Sequence, residues 1–335
     1  MSTVGVAGAP VGPAGAARPR RPAHVRAAIV SALAIVIGSL FMAAYMLALG
    51  DPVPHRIAAA IVGDGGVRTE VVGEIEQEAD RSVDFRTYPS VEAALGAMAH
   101  QQVYAVLDSR SPNPELYVAS AAGASVARVF ADAATTDPRI RIIDTHPLPA
   151  SDPVGLNVFY LVIAATILGF LTVFQVRTNA PGLPLLGWTA FLLSFALVAA
   201  LALALLAGPL LHRLPLPVLE SWAILALQVI TVAAFTSTMA VLIGPWAIVP
   251  TYLLFMVLGT TSSGGAVAPP LLPGLLALLS RWLPSGVTVT ALRNAVYFHS
   301  AQQVRPLAVL AVWAIATLVA MLFVSRRRRA SPGIP

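Results

Sequence analysis

Six stretches of this chain, 27–49, 154–176, 185–211, 221–243, 246–262 and 306–325, contain no charged side chain. Most approach the roughly 20 residues that an α-helix needs to cross a bilayer, where each backbone polar group must find its partner inside the helix. They imply a polytopic α-helical membrane protein with six transmembrane helices. Only 11% of the residues are charged, against about a quarter in soluble domains, which excludes a soluble fold. The fourth and fifth stretches are separated by "IGPW", where Gly244 and Pro245 make either a tight hairpin or a kink in one long helix.

Charge decides between these. Fifteen of the sixteen acidic residues lie between Asp51 and Asp152, and elsewhere the chain has thirteen arginines and one acid, Glu220. Arg18, Arg20, Arg21 and Arg26 precede the first span, and Arg326, Arg327, Arg328 and Arg329 follow the last. The positive-inside rule puts both termini in the cytoplasm, so the number of spans is even. Residues 1–26 read as a disordered Arg/Pro/Gly-rich tail near lipid head groups, 27–49 as an uncleaved first span, and 326–335 as a basic tail. Residues 51–153 are then extracytoplasmic, 154–325 hold five further helices, and the loop near residue 180 is cytoplasmic.

The region 51–153 has the pattern of one α/β domain inserted between the first two helices. "RIAAAIVGD", "YAVLDS", "ELYVAS" and "RIRIIDT" read as strands. "VRTEVVGEIEQEAD", "SVEAALGAMAHQQV" and "SVARVFADAA" read as helices, the second capped by Ser90 and burying Val91, Leu95 and Met98. The domain contains no H-E-x-x-H, D-x-D or G-x-S-x-G pattern, so no catalytic residue, metal site or cofactor is expected. The chain has no cysteine, which excludes disulfides and thiolate ligands. It has no lysine either, so it contains no P-loop of its own and is not an enzyme of that class.

The spans lack the buried acids and histidines of many ion-coupled carriers. Glu220, Gln228, Thr231 and Thr238 recur on one face of the fourth span, where they either line a substrate path or, more commonly, join neighbouring helices. Before the last span, residues 268–300 begin with too few apolar residues to cross and read as a re-entrant, interfacial segment. Arg281, Arg293 and Arg305 cost too much at the bilayer centre, and Trp282 and Tyr297 favour head-group depth, so the outer interface is their expected address. Residues 287–299 suit a short amphipathic helix with Ala291, Ala295 and Phe298 on one side and Thr290, Asn294 and Tyr297 on the other.

This order, with "LPSGVTVTALRNAVYF" before the last helix, resembles the membrane subunit of ABC type 2 exporters, close to the phage-infection-protein-like and nitrosoguanidine-resistance-like membrane proteins. The resemblance implies a permease of the bacterial cytoplasmic membrane that moves a hydrophobic or amphipathic compound or an envelope polymer. It implies a homodimer or heterodimer of permeases energised by a separate cytoplasmic ATPase, with docking expected around Arg177 and Asn179. Membrane lipids are the other expected partners, and nucleic acid is not expected. The alternative is a non-transporting envelope protein whose outer domain binds a partner, wall polymer or phage.

Overall fold

The computed structural model describes residues 22–50, 54–63, 73, 82–135 and 137–330. Among these, five helical stretches are long and apolar enough to cross a bilayer: Ala27–Ala48, Asn157–Asn179, Leu185–Leu210, Val218–Thr261 and Val304–Arg328. A small sheet accompanies them, an arrangement consistent with a polytopic helical membrane protein.

Helix α1 spans Ala23–Leu49. The α/β region follows with β1 (Ile57–Val62), β2 (Val83–Thr87), α2 (Val91–Ala99), β3 (Ala105–Asp108), β4 (Glu115–Val118), α3 (Ala124–Ala134) and β5 (Arg141–Asp144). The strand order is β2-β1-β3-β4-β5; β3 and β4 pair antiparallel and all other neighbours pair parallel. β2 is a strand that the sequence pattern did not single out. The expected helix over 67–80 lies outside the described residues apart from Gly73. Ser90 caps α2, its side chain accepting from the Ala93 N–H at 3.1 Å. Met98 is buried as expected, whereas Val91 and Leu95 are half-buried and Ala94 and Ala97 take the core face.

The two faces of β1 enter different apolar clusters, as period-two alternation requires. Ala60 and Val62 join Met98 and Val106 in a core that continues without a break through Val158, Leu225, Leu292 and Leu310 of the helical bundle. Ile57, Ala59 and Ile61 face Val126 and Phe130 of α3, and that core is completed by Ala268 and Leu271 from the far part of the chain. The α/β region is therefore closed on both faces by residues outside 51–153. Two hydrogen bonds fix the second closure: His55 N–H to the Pro270 carbonyl at 2.8 Å, and Ala268 N–H to Ser125 Oγ at 3.2 Å.

The bundle begins with α4 (Asn157–Asn179) and α5 (Leu185–Leu205), which continues through a π-helical turn at Leu206–Leu210. Next comes α6 (Val218–Ile243). Hydrogen bonds set the helix directions. Trp188 Nε1 donates to Ser237 Oγ and Trp222 Nε1 to the Leu197 carbonyl, so α5 and α6 are antiparallel. Gln228 meets Thr166 while Gly169 packs on Val232, so α4 and α6 are parallel.

Beyond α6 the apolar run folds back. Gly244 ends the helix at φ 63° and ψ −130°, a conformation that only glycine adopts readily. A 3₁₀ turn (Gly244–Ala247) leads into a returning limb, α7, over 248–261, whose middle part, Tyr252–Leu258, is π-helical. The rings of Phe235 and Phe255 then meet edge to face at 5.3 Å. A straight helix would hold residues that far apart in sequence about 30 Å from each other, so the IGPW element is a hairpin and not a kink.

Two short helices precede the last long one: α8 (Gly274–Leu279) and α9 (Pro284–Tyr297). The last, α10 (Val304–Ala330), is parallel to α6, joined at one end by Gln302 to Glu220 and at the other by Arg328 to the Leu242 carbonyl. Arg26 lies in α1 and Arg326, Arg327, Arg328 and Arg329 lie in the final turns of α10, whereas Arg18, Arg20 and Arg21 lie outside the described residues.

Candidate functional site

The polar chemistry of the described residues converges on α9. Pro284 supplies N1, where its missing N–H costs nothing, and the helix is enclosed nearly all round. Its apolar positions Ala291, Leu292 and Ala295 enter the bundle core. Arg293, Asn294 and Tyr297 meet polar groups of the loops and the α/β region. The expected two-sided helix is present, but both sides face protein.

Arg293 is 8% exposed. Its guanidinium donates to the carbonyls of Gly264 and Gly265 at 2.8 and 3.0 Å. A buried charge needs such partners, and the planar fork of arginine suits two adjacent carbonyls. The loop is shaped for this. Gly264 has φ +74°, and a Cβ on Gly265 would stand 2.4 Å from Phe159 Cδ2. Of the three arginines expected at the interface, Arg281 and Arg305 are exposed, while Arg293 is enclosed, with backbone carbonyls in place of water.

Asn294 Oδ1 accepts from Gln101 Nε2 of the α/β region. Tyr297 donates its hydroxyl to Asp152 Oδ2 at 2.9 Å, and Asp152 in turn accepts from the N–H groups of Leu156 and Asn157 at the start of α4. A carboxylate there satisfies two orphan donors and complements the helix dipole. Toward the bundle centre, Gln228 donates to Thr166 and accepts from Thr288, both at 3.0 Å, tying α4, α6 and α9 together.

The four candidate path residues take different partners. Gln228 joins helices. Thr231 and Thr238 bond back to the carbonyls four residues earlier, Leu227 and Ala234. Glu220 accepts from Ser300 and Gln302 beside the start of α10. Asp152, Gln101, Gln302 and the Gly264–Gly265 carbonyls were not singled out by the sequence; the "SSGG" cluster was the one local signal of a special backbone.

A cavity of about 790 Å³ opens beside α9, between the α/β region and the bundle. Five arginines line it: Arg56, Arg86, Arg281, Arg293 and Arg305. Arg86 pairs with Asp84 at 3.2 Å. Among the described residues, no Asp or Glu lines this cavity. Tyr104 forms part of the wall, and burial pushes its phenol above the ordinary value against the opposing pull of Arg293 and Arg281. The Arg305 guanidinium lies 5.0 Å above the ring of Trp282, next to Arg281 in the chain.

The chain matches no family model, curated protein or solved structure. Its functional reading rests on the geometry.

At the end of the bundle away from the sheet, a second cavity of about 280 Å³ is walled by Arg177, Pro181, Trp188, Ser237 and Arg328. Asn179 does not line it and instead bonds to the Gln175 carbonyl. No group of three or more His, Asp or Glu with metal-binding geometry occurs among the described residues.

Proposed function

We propose that this chain is the membrane subunit of an exporter of the ABC type 2 kind, with six passes and both termini in the cytoplasm of a bacterium. It moves a hydrophobic or amphipathic compound or an envelope polymer, as a dimer of permeases driven by a separate ATPase. The observation that carries this reading is the wedged position of α9. It is bonded to the α/β region through Asn294, to the loop before α4 through Tyr297 and to the bundle through Thr288. A shift of the helices would therefore be passed directly to the wall of the arginine-lined cavity. The hairpin at Gly244 supports the even number of passes, and the cavity at Arg177 and Arg328 offers a docking surface at the opposite end.

The test is to purify the tagged protein gently from its own membranes and to identify any stoichiometric companion by mass spectrometry. A P-loop chain whose association is weakened by Arg177→Glu is the expected result. Its reproducible absence would favour the envelope-binding alternative.

A further inference from the structure

We propose that the arginine-lined cavity binds the phosphate head group of an anionic lipid or lipid-linked amphiphile. The inference deepens the exporter reading by naming the class of compound received, and rests on that reading only for what happens after binding.

The chemistry of the wall selects an anion. Arg56, Arg281 and Arg305 are exposed, and none has a carboxylate partner among the described residues. Arginines from the α/β region, the segment before α10 and the first turn of α10 thus border one space. Like charges gathered with no carboxylate among the described lining residues repel, and a bound phosphate relieves that repulsion while accepting paired N–H bonds. Arg293, held by the two glycine carbonyls, adds a fixed positive charge at the cavity wall.

Helix α8 selects a lipid over a soluble anion. Its residues Gly274, Ala277 and Arg281 at the following turn face the cavity. The adjacent positions Leu275, Leu278 and Trp282 are 69%, 55% and 53% exposed. One side of this short segment is therefore the cavity wall and the other is bare apolar surface. The Trp282 carbonyl accepts from Trp313 Nε1 at 2.8 Å, so that bare surface lies beside the first turns of the last apolar helix. A molecule with a phosphate and an acyl or prenyl tail fits both sides at once: the head group among the arginines, the tail along Leu275 and Leu278.

The full-length protein in neutral detergent, titrated with dioleoyl phosphatidylglycerol or dioleoyl phosphatidylcholine and followed by native mass spectrometry, tests this. The expected result is retention of the anionic lipid and not of the zwitterionic one. Arg281→Gln with Arg305→Gln should weaken retention roughly tenfold or more, and Arg326→Gln with Arg327→Gln at the other end of α10 should leave it unchanged. Arg281→Lys with Arg305→Lys, which keeps the charge, should retain most of the binding and controls for folding. Equal retention of the two lipids, or equal losses in the two glutamine variants, would overturn the site. Inorganic phosphate that displaces the lipid at equal concentration, with Leu275→Ser and Leu278→Ser without effect, would make the ligand a free anion and overturn the lipid assignment. None of these readings depends on an ATPase, so they stand or fall apart from the exporter proposal.

Discussion

At the scale of single residues, the stability of the junction rests on a few polar side chains removed from water. Replacing Arg293 by Ala orphans the Gly264 and Gly265 carbonyls, a cost of about 2 kcal/mol even after crediting the relief of an expensive buried charge. A thermal melt of the purified variant would read this, and Lys should rescue it only in part because it lacks the fork. Gln228→Leu removes bonds to both Thr166 and Thr288, and should cost about 1 kcal/mol in the same assay. Unchanged stability with lost transport would instead make Gln228 part of a path. His146 stacks on Phe298 at 4.7 Å. Burial, and then nearby His299, hold its imidazole below the ordinary value, with Asp144 pulling the other way. Since the folded value is the lower one, the unfolded chain takes up the proton first. Its contribution is complete above about pH 6.5 and is lost as pH falls through the depressed folded value. Melting temperature should therefore decline on acidification from about pH 7.5 to 5.5, and His146→Phe should flatten that decline.

At the scale of elements, the hairpin at Gly244 is the feature with the clearest test. The chain contains no cysteine, so single cysteines can be introduced without background. Thiols at positions 215 and 266 should react from one side of the membrane with an impermeant reagent, and a thiol at 245 from the other. Reaction of 215 and 266 from opposite sides would mean a single crossing. Much of this level was legible in the sequence. The apolar runs, the Ser90 cap and the short helix before the last span are local signals, each set by residues within a turn or two, although that helix begins at Pro284 and not at the expected Val287. Whether IGPW was a hairpin or a kink was not legible locally, because it depends on Phe235 finding Phe255 across the turn. The burial of Arg293 was hidden for the same reason. Its partners are backbone carbonyls, which any residue possesses, and they lie nearly thirty positions earlier. β2 escaped notice because Asp84 and Arg86 dilute its apolar pattern, and its place is set by pairing with β1.

At the scale of the whole chain, the sequence reads as an α/β domain inserted between the first two helices. Its sheet shares one core with the bundle and closes the other with Ala268 and Leu271. A fragment comprising residues 54–150 should accordingly be poorly packed, with helical and strand signal in far-UV circular dichroism but dispersed methyl resonances absent. A fragment with a sharp, cooperative melt would show that the added residues are dispensable.

That closure also imposes an order on biosynthesis. The last strand of the sheet ends at Asp144, yet its covering residues are made over a hundred positions later. At about 5–20 residues per second, the half-built sheet would wait roughly ten seconds with one apolar face only partly covered by α3, while the apolar helices α4 to α7 are synthesised behind it. During that interval the nascent chain would be a substrate for chaperones and proteases of its compartment. A ribosome that stopped before residue 267 would release a product marked for removal by its own exposed surface, a form of quality control that needs no dedicated signal.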